Sequence, residues 1–120
     1  MANLANPNFH RLTAMNALEW SHPEKVVARK AFDLGLRNQL QATIRETKDR
    51  AARIQEPSEL WDFENWLTDR RLEIDSTFDY RYSVLPVVFA RLLRDGRIKE
   101  SDLLGLEPDK LELIRRVSTL

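Results

Sequence analysis

The sequence predicts an all-α protein, and three observations carry that reading. Apolar or small residues recur at steps of three and four over a long stretch without proline. Nothing in the chain reads as a strand. Capping residues stand where the apolar stretches begin and end. Composition agrees: 42% hydrophobic and 32% charged residues suit helices with one apolar stripe and a wide solvated face.

Residues 1–20 are rich in Asn and small residues. They read as a flexible N-terminal arm or a short helix around 9–18, whose Phe9, Leu12, Met15 and Leu18 could lie on another surface. Ser21-His22-Pro23-Glu24 is a helix start: Ser21 caps, Pro23 fits the first turn, and Glu24 holds the capping-box position. From there to Ile54 the chain has no proline and one glycine, Gly35. Ala28, Phe32, Leu36, Leu40, Thr43, Thr47, Ala51 and Ile54 form one stripe. Gly35 costs about 1 kcal/mol relative to Ala within a helix, or marks the close approach of another helix. Glu56-Pro57-Ser58 ends this helix and opens a second, over about 58–76, with Leu60, Phe63, Leu67 and Ile74 on one side and Trp61, Trp66 and Leu72 beside them. Ser76-Thr77 predicts a bend. A third helix, over about 79–95, is the most apolar, with Val84, Leu85, Val87, Val88, Phe89, Leu92 and Leu93, and it stops at Asp95-Gly96. Pro86 inside it predicts a kink or a later start. Ser101-Asp102 caps a short turn over Leu103–Leu106, and Pro108 opens a last helix carrying Leu111, Ile114 and Val117.

The first helix predicts a dimer. About 30 residues at 1.5 Å each give about 45–50 Å. A compact domain of this length is only about 35 Å across. The stripe does not fade at either end, so something outside the compact part must bury it. A second copy is the simplest partner. The alternative is a break at Gly35 that folds the helix back on itself.

Catalysis, metal binding and nucleic-acid binding find little support. There is no cysteine, and the two histidines, His10 and His22, have no metal-ligand spacing. The acid pairs Asp62/Glu64 and Glu73/Asp75 are two apart and point to different helix faces. Arg71 with Asp75 and Asp79 reads as an ion-pair ladder. No Gly-rich phosphate loop is present, so neither an enzyme nor a cofactor is expected. Nineteen basic and nineteen acidic residues leave no net charge to steer the chain onto nucleic acid or anionic lipid. The only basic candidates, Arg91, Arg94, Arg97, Arg115 and Arg116, are interleaved with acids. No apolar run approaches the roughly 20 residues that span a bilayer, and the N-terminus lacks a signal-peptide pattern. A cytoplasmic protein is expected.

The stretch from Leu60 to Arg71 is the most informative. On a helix, Trp61, Glu64, Asn65, Thr68 and Arg71 share one side. That set suits an interface, where Trp and Arg are favoured. Equally, the aromatics belong to the core and Arg71 is a solvated end.

Leu60-Trp61, Phe63, Leu67, Arg71-Leu72-Glu73-Ile74-Asp75, Asp79, Arg81, Ser83-Val84, Val88-Phe89-Ala90-Arg91-Leu92-Leu93 and Gly96, followed by Asp102-Leu103, Leu106, Asp109-Lys110 and Ile114, resemble the fluorescence recovery protein family of cyanobacteria. The resemblance runs without gaps from about residue 58 to 115. Residues 22–57 share length and helical character, and residues 1–20 share nothing. It implies one all-helical domain over 21–120, with long helices over about 21–76 and a compact head over about 79–120, assembled as a dimeric helical bundle. It implies no catalytic residue and no cofactor. The implied partner is the photoactivated red form of orange carotenoid protein, which the family returns to its orange form and releases from the phycobilisome.

Residue by residue, the family's functional Trp and Arg are Trp61 and Arg71. Between them, Glu64 and Asn65 replace a family His and Asp. In the head, Val87, after Pro86, replaces a partner-contacting Phe, and Leu113 replaces a Lys. Val87, Phe89 and Leu113 are therefore the head contact candidates, and Phe32, Leu36, Leu40, Thr43 and Thr47 the dimer stripe. The altered head leaves a second expectation: a homodimeric adaptor acting on a different protein in a bacterium without orange carotenoid protein.

Overall fold

The computed structural model describes residues 18–120. The segment with Phe9, His10, Leu12 and Met15 lies outside the described residues. Among the described residues there are four α-helices, a 3₁₀ turn and no strand. They are α1 (His22–Ala52), α2 (Pro57–Thr77), α3 (Leu85–Arg94), the 3₁₀ turn (Glu100–Leu103) and α4 (Pro108–Ser118).

Helix α1 starts as its sequence predicts. The Glu24 N–H donates to Ser21 Oγ at 3.3 Å, and the Ser21 N–H donates to Glu24 Oε1 at 3.0 Å. The helix runs unbroken for 31 residues, so Gly35 does not fold it back. A Cβ on Gly35 would lie 2.6 Å from Leu92 Cδ1 and 3.3 Å from Ile98 Cγ2, so glycine here admits α3 and the turn after it. Helix α2 returns antiparallel to α1. Arg70 pairs with Glu46 at 3.4 Å, and the Arg50 guanidinium lies 4.4 Å from the Trp66 ring centre, which sets the level of one helix against the other.

The third helix takes the later start that Pro86 offered, rather than a kink within a helix over 79–95. It begins at Leu85, not near residue 79, and Pro86 sits in its first turn, where its missing N–H costs nothing. The expected bend at Ser76-Thr77 is one residue later: α2 continues through Thr77, and the Phe78 N–H closes its last turn on the Ile74 carbonyl at 3.0 Å. Residues 78–84 form a strip instead. Phe78, Tyr80, Tyr82 and Val84 pack against the core, whereas Arg81 and Ser83 are exposed. The rings form a continuous row: Phe32–Phe78 at 5.4 Å, Phe32–Tyr80 at 4.9 Å, Tyr80–Tyr82 at 5.6 Å and Tyr82–Trp20 at 5.5 Å. Arg29 and Lys25 of α1 cover Tyr80 and Tyr82 at 4.5 and 5.2 Å. Burial, then the hydrogen bond and charge of Tyr82, push the Tyr80 hydroxyl pKa up to about 12 against the opposing effect of Arg29.

The core lies at one end of the molecule. Ala28, Ala31 and Phe32 of α1 meet Leu85, Val88, Phe89 and Leu92 of α3, with Ile98, Leu103, Leu106 and Ile114 completing the head. At its base a buried ion pair joins α1 to α4, with Lys110 Nζ 3.0 Å from Glu24 Oε2. Helix α2 contributes no buried residue. The radius of gyration, 17.6 Å, exceeds the roughly 14 Å of a compact domain of this length, and the longest dimension is 53 Å. The chain is a head with an arm.

Candidate protein-binding surfaces

The arm presents the predicted stripe to solvent. Trp61 is 61% exposed and the Arg71 side chain 83% exposed, with Glu64, Asn65 and Thr68 exposed beside them. The aromatics divide between the two readings that the sequence left open. Phe63 and Trp66 turn inward, stacked at 5.9 Å, with Trp66 held between Arg50 and Arg70. Trp61 turns outward. Arg71 has only the loose 4.0 Å pair with Asp75, while Asp79 pairs with Arg81. The expected ladder is therefore split. The Arg81 hydrogen bond holds the Asp79 carboxyl below its usual range.

The same arm exposes large apolar side chains: Leu60, Leu67 and Leu72 of α2, and Leu40 and Ile44 of α1. Ile44 was not in the predicted stripe, because it sits one position beside the run of three- and four-residue steps. Leu36, Thr43 and Thr47 are half-buried. Thr43 is engaged locally, its hydroxyl donating to the Gln39 carbonyl at 3.0 Å and accepting from Gln39 Nε2 at 3.2 Å. Phe32 does not belong to the open stripe: it is buried in its own head against Phe78 and Tyr80.

In the head, Val87 is 44% exposed and lines a cleft of about 240 Å³ with Thr77, Asp79, Val84, Val88 and Arg91. Two other head candidates are corrected. Phe89 is 0% and Leu113 8% exposed. Phe89 falls on the inward side of α3, next to the buried Val88 and Ala90, and Leu113 lies beside the fully buried Ile114. Neither side chain is free to meet a partner.

The five head arginines are each engaged. Arg91 pairs with Glu73 at 2.9 Å, Arg115 with Glu100 at 3.0 Å and Arg116 with Glu112 at 2.8 Å. Arg94 donates to the carbonyls of Val117 and Ser118 at the end of α4, and Arg97 to Gln39. No open basic face remains among them. Among the described residues no group of three His, Cys, Asp or Glu could hold a metal, and no helix is long and apolar enough to cross a membrane.

Two features escaped the sequence reading. The alternation Phe78, Tyr80, Tyr82, Val84 was a readable period-two signal, hidden by the apolar helix that follows. The Glu24–Lys110 pair joins residues 86 positions apart, which no local pattern shows.

An all-helical head with an exposed arm, carrying Trp61, Arg71 and a row of apolar side chains on open helix faces, is the build of a protein that presents helical surfaces. Residues 20–118 match the family described as photoprotection regulator fluorescence recovery protein, and the chain belongs to that family. It is 31% identical over 101 residues to the fluorescence recovery protein of Synechocystis, covering 84% of this chain and 93% of that one. The solved structure of the Fremyella diplosiphon fluorescence recovery protein matches with a TM-score of 0.80 at 38% identity, covering 85% of this chain and all of that one. The Synechocystis structure matches equally well, with a TM-score of 0.80 at 30% identity and the same coverage.

Proposed function

We propose that the chain acts as a cytoplasmic homodimer that binds the photoactivated red form of orange carotenoid protein, promotes its return to the orange form and helps release it from the phycobilisome. The observation that carries this is the open Trp61–Arg71 face within residues 20–118, the span that matches the family. A regulator without a reacting group speeds a conformational return only by binding the barrier region more tightly than the starting state. The exposed leucines and Ile44 of the arm support a second copy, because contiguous apolar patches on soluble proteins mark interfaces.

The test adds the protein to photoactivated orange carotenoid protein and follows red-to-orange recovery in the dark. Faster recovery supports the proposal. An unchanged rate at saturating protein removes it and favours the second reading, a homodimeric adaptor for another protein. That reading draws on the head: Val87 offers a small side chain where the family resemblance places Phe, and the position resembling a family Lys is the buried Leu113.

A further inference from the structure

We infer that the arm, from Leu40 to Thr77, is conditionally folded: a second copy orders it, whereas the head folds on its own chain. The inference rests on the homodimer proposed above. Its ground is where burial stops. The last buried residue of α1 is Gln39, and none is buried again until Leu85. The head's last polar hold on α1 falls at the same place, where Asn38 Nδ2 donates to the Arg97 carbonyl at 2.8 Å and Arg97 Nε donates to Gln39 Oε1 at 2.8 Å.

Beyond that point the arm has little to hold it in a lone protomer. Helix α2 buries no side chain fully: its inner side rests on the half-buried Phe63, Trp66 and Ile74, supplemented by Arg70–Glu46 at 3.4 Å, Arg91–Glu73 at 2.9 Å and the Arg50–Trp66 contact at 4.4 Å. The charge contacts are partly exposed, individually weak and screened by salt. Its sequence contains no alanine and is rich in Asp, Thr and aromatic residues, which are mediocre helix formers. Helices in proteins are held chiefly by burying an apolar face rather than by propensity. Here Leu40, Ile44, Leu60, Leu67 and Leu72 are left open. Assembly then couples folding to binding. It also controls function, because Trp61 and Arg71 share a defined helix face only while α2 is ordered.

Hydrogen exchange read by mass spectrometry on the full chain tests this, with sedimentation giving the mass of each sample. The variant Leu72→Glu puts a charge in place of an exposed leucine of the arm without touching the head core. Leu40→Glu is the second variant, and dilution of the wild type needs no substitution. In samples with the mass of one chain, amides of 57–77 exchange at least about a hundredfold faster than in the dimer, while those of 85–94 and 108–118 change by less than about threefold. Arm protection in a verified monomer equal to that in the dimer overturns the inference and leaves the homodimer standing. Equal loss of protection in head and arm also overturns it, since the head would then need the second copy too. A one-chain mass for the wild type at every concentration removes the homodimer, and with it the second copy as the ordering partner.

Discussion

Replacing Glu24 by alanine tests the physical account of the head most directly. The Glu24 carboxylate serves two helices at once. Oε1 accepts the Ser21 N–H at 3.0 Å, capping α1, and Oε2 accepts the Glu107 N–H at 2.9 Å, at the cap of α4. Lys110 Nζ bridges both oxygens at 3.0 and 3.2 Å, and the pair is almost wholly buried. Without the carboxylate, the ammonium keeps only Asp109 at 3.9 Å and the Trp20 ring at 5.2 Å. Breaking a buried pair from one side costs about 3–5 kcal/mol. At about 4 °C per kcal/mol for a chain of this size, Glu24→Ala lowers Tm by about 12–20 °C. Glu24→Gln with Lys110→Met removes both charges and costs less than Glu24→Ala alone. The pH dependence is an independent measure. Burial by itself pushes the Glu24 carboxyl up. Hydrogen bonds from the Glu107 and Ser21 N–H groups and from Lys110, with the ammonium charge, outweigh it and lower the pKa from 4.5 to about 2. A carboxyl depressed on folding stabilises the fold above its unfolded pKa, and the stabilisation fades as pH falls toward the folded value. The wild type therefore loses about 3 kcal/mol between pH 5 and pH 2 that Glu24→Gln does not lose. Urea unfolding at fixed protein concentration reads both effects. A cost below about 1 kcal/mol for Glu24→Ala, or parallel acid profiles for wild type and Glu24→Gln, refutes the reasoning.

Four further outcomes are expected. Gly105 has φ +109°, and a Cβ there would lie 2.8 Å from Val27 Cγ2, so Gly105→Ala destabilises the head by about 1–3 kcal/mol in urea unfolding. The chain has two tyrosines, and an ultraviolet titration resolves one with a midpoint near 12, which Tyr80→Phe removes. Trp61→Ala and Arg71→Ala leave the folding of the head unchanged, because both side chains are exposed; a lost dimer in sedimentation marks an assembly residue, and a slower red-to-orange recovery with the dimer intact marks a contact residue. Val87→Phe leaves stability within about 0.5 kcal/mol and, under the proposed function, tightens binding to photoactivated orange carotenoid protein by about tenfold or more in titration; no change in affinity removes Val87 from the contact surface.

The helices were legible because they announce themselves locally. Ser21 and Glu24 give the first start within four residues, and Pro57 and Pro108 mark two more. Helix α3 was placed too early because Phe78, Tyr80, Tyr82 and Val84 carry apolar bulk that merges with the run from Leu85. Pro86 marked the true start, since proline is at ease only in a first turn. At the candidate surfaces, helical spacing put Trp61, Glu64, Asn65, Thr68 and Arg71 together without saying whether they faced in or out. That depends on which side of α2 meets α1, and Trp66 between Arg50 and Arg70 decides it. Phe89 and Leu113 misled for a related reason. Resemblance assigns a position but not the rotation of its helix, and burial beside Val88 and Ile114 is a property of the packed head.

The two open surfaces differ in how firmly they are built, and this bears on how such a protein works. Val87 is anchored: its neighbours Pro86 and Val88 are buried, so it is presented whether or not a second copy is bound. Trp61 and Arg71 sit on a helix with no fully buried residue, held on its inner side by the half-buried Phe63 and Trp66 and by charge contacts. Each tenfold gain in a partner's conversion rate requires about 1.4 kcal/mol of binding made at the barrier and absent before it. A rigid contact at Val87 suits holding the partner through both states, because it changes little as the partner moves. An adjustable helix carrying a large aromatic and a guanidinium suits the contact that strengthens part-way through, since small shifts of α2 re-aim both groups at low cost. Under the proposed function, that division assigns affinity to the head and rate to the arm. Val87→Phe should then shift the concentration at which recovery is half-maximal, and Trp61→Ala the rate at saturation.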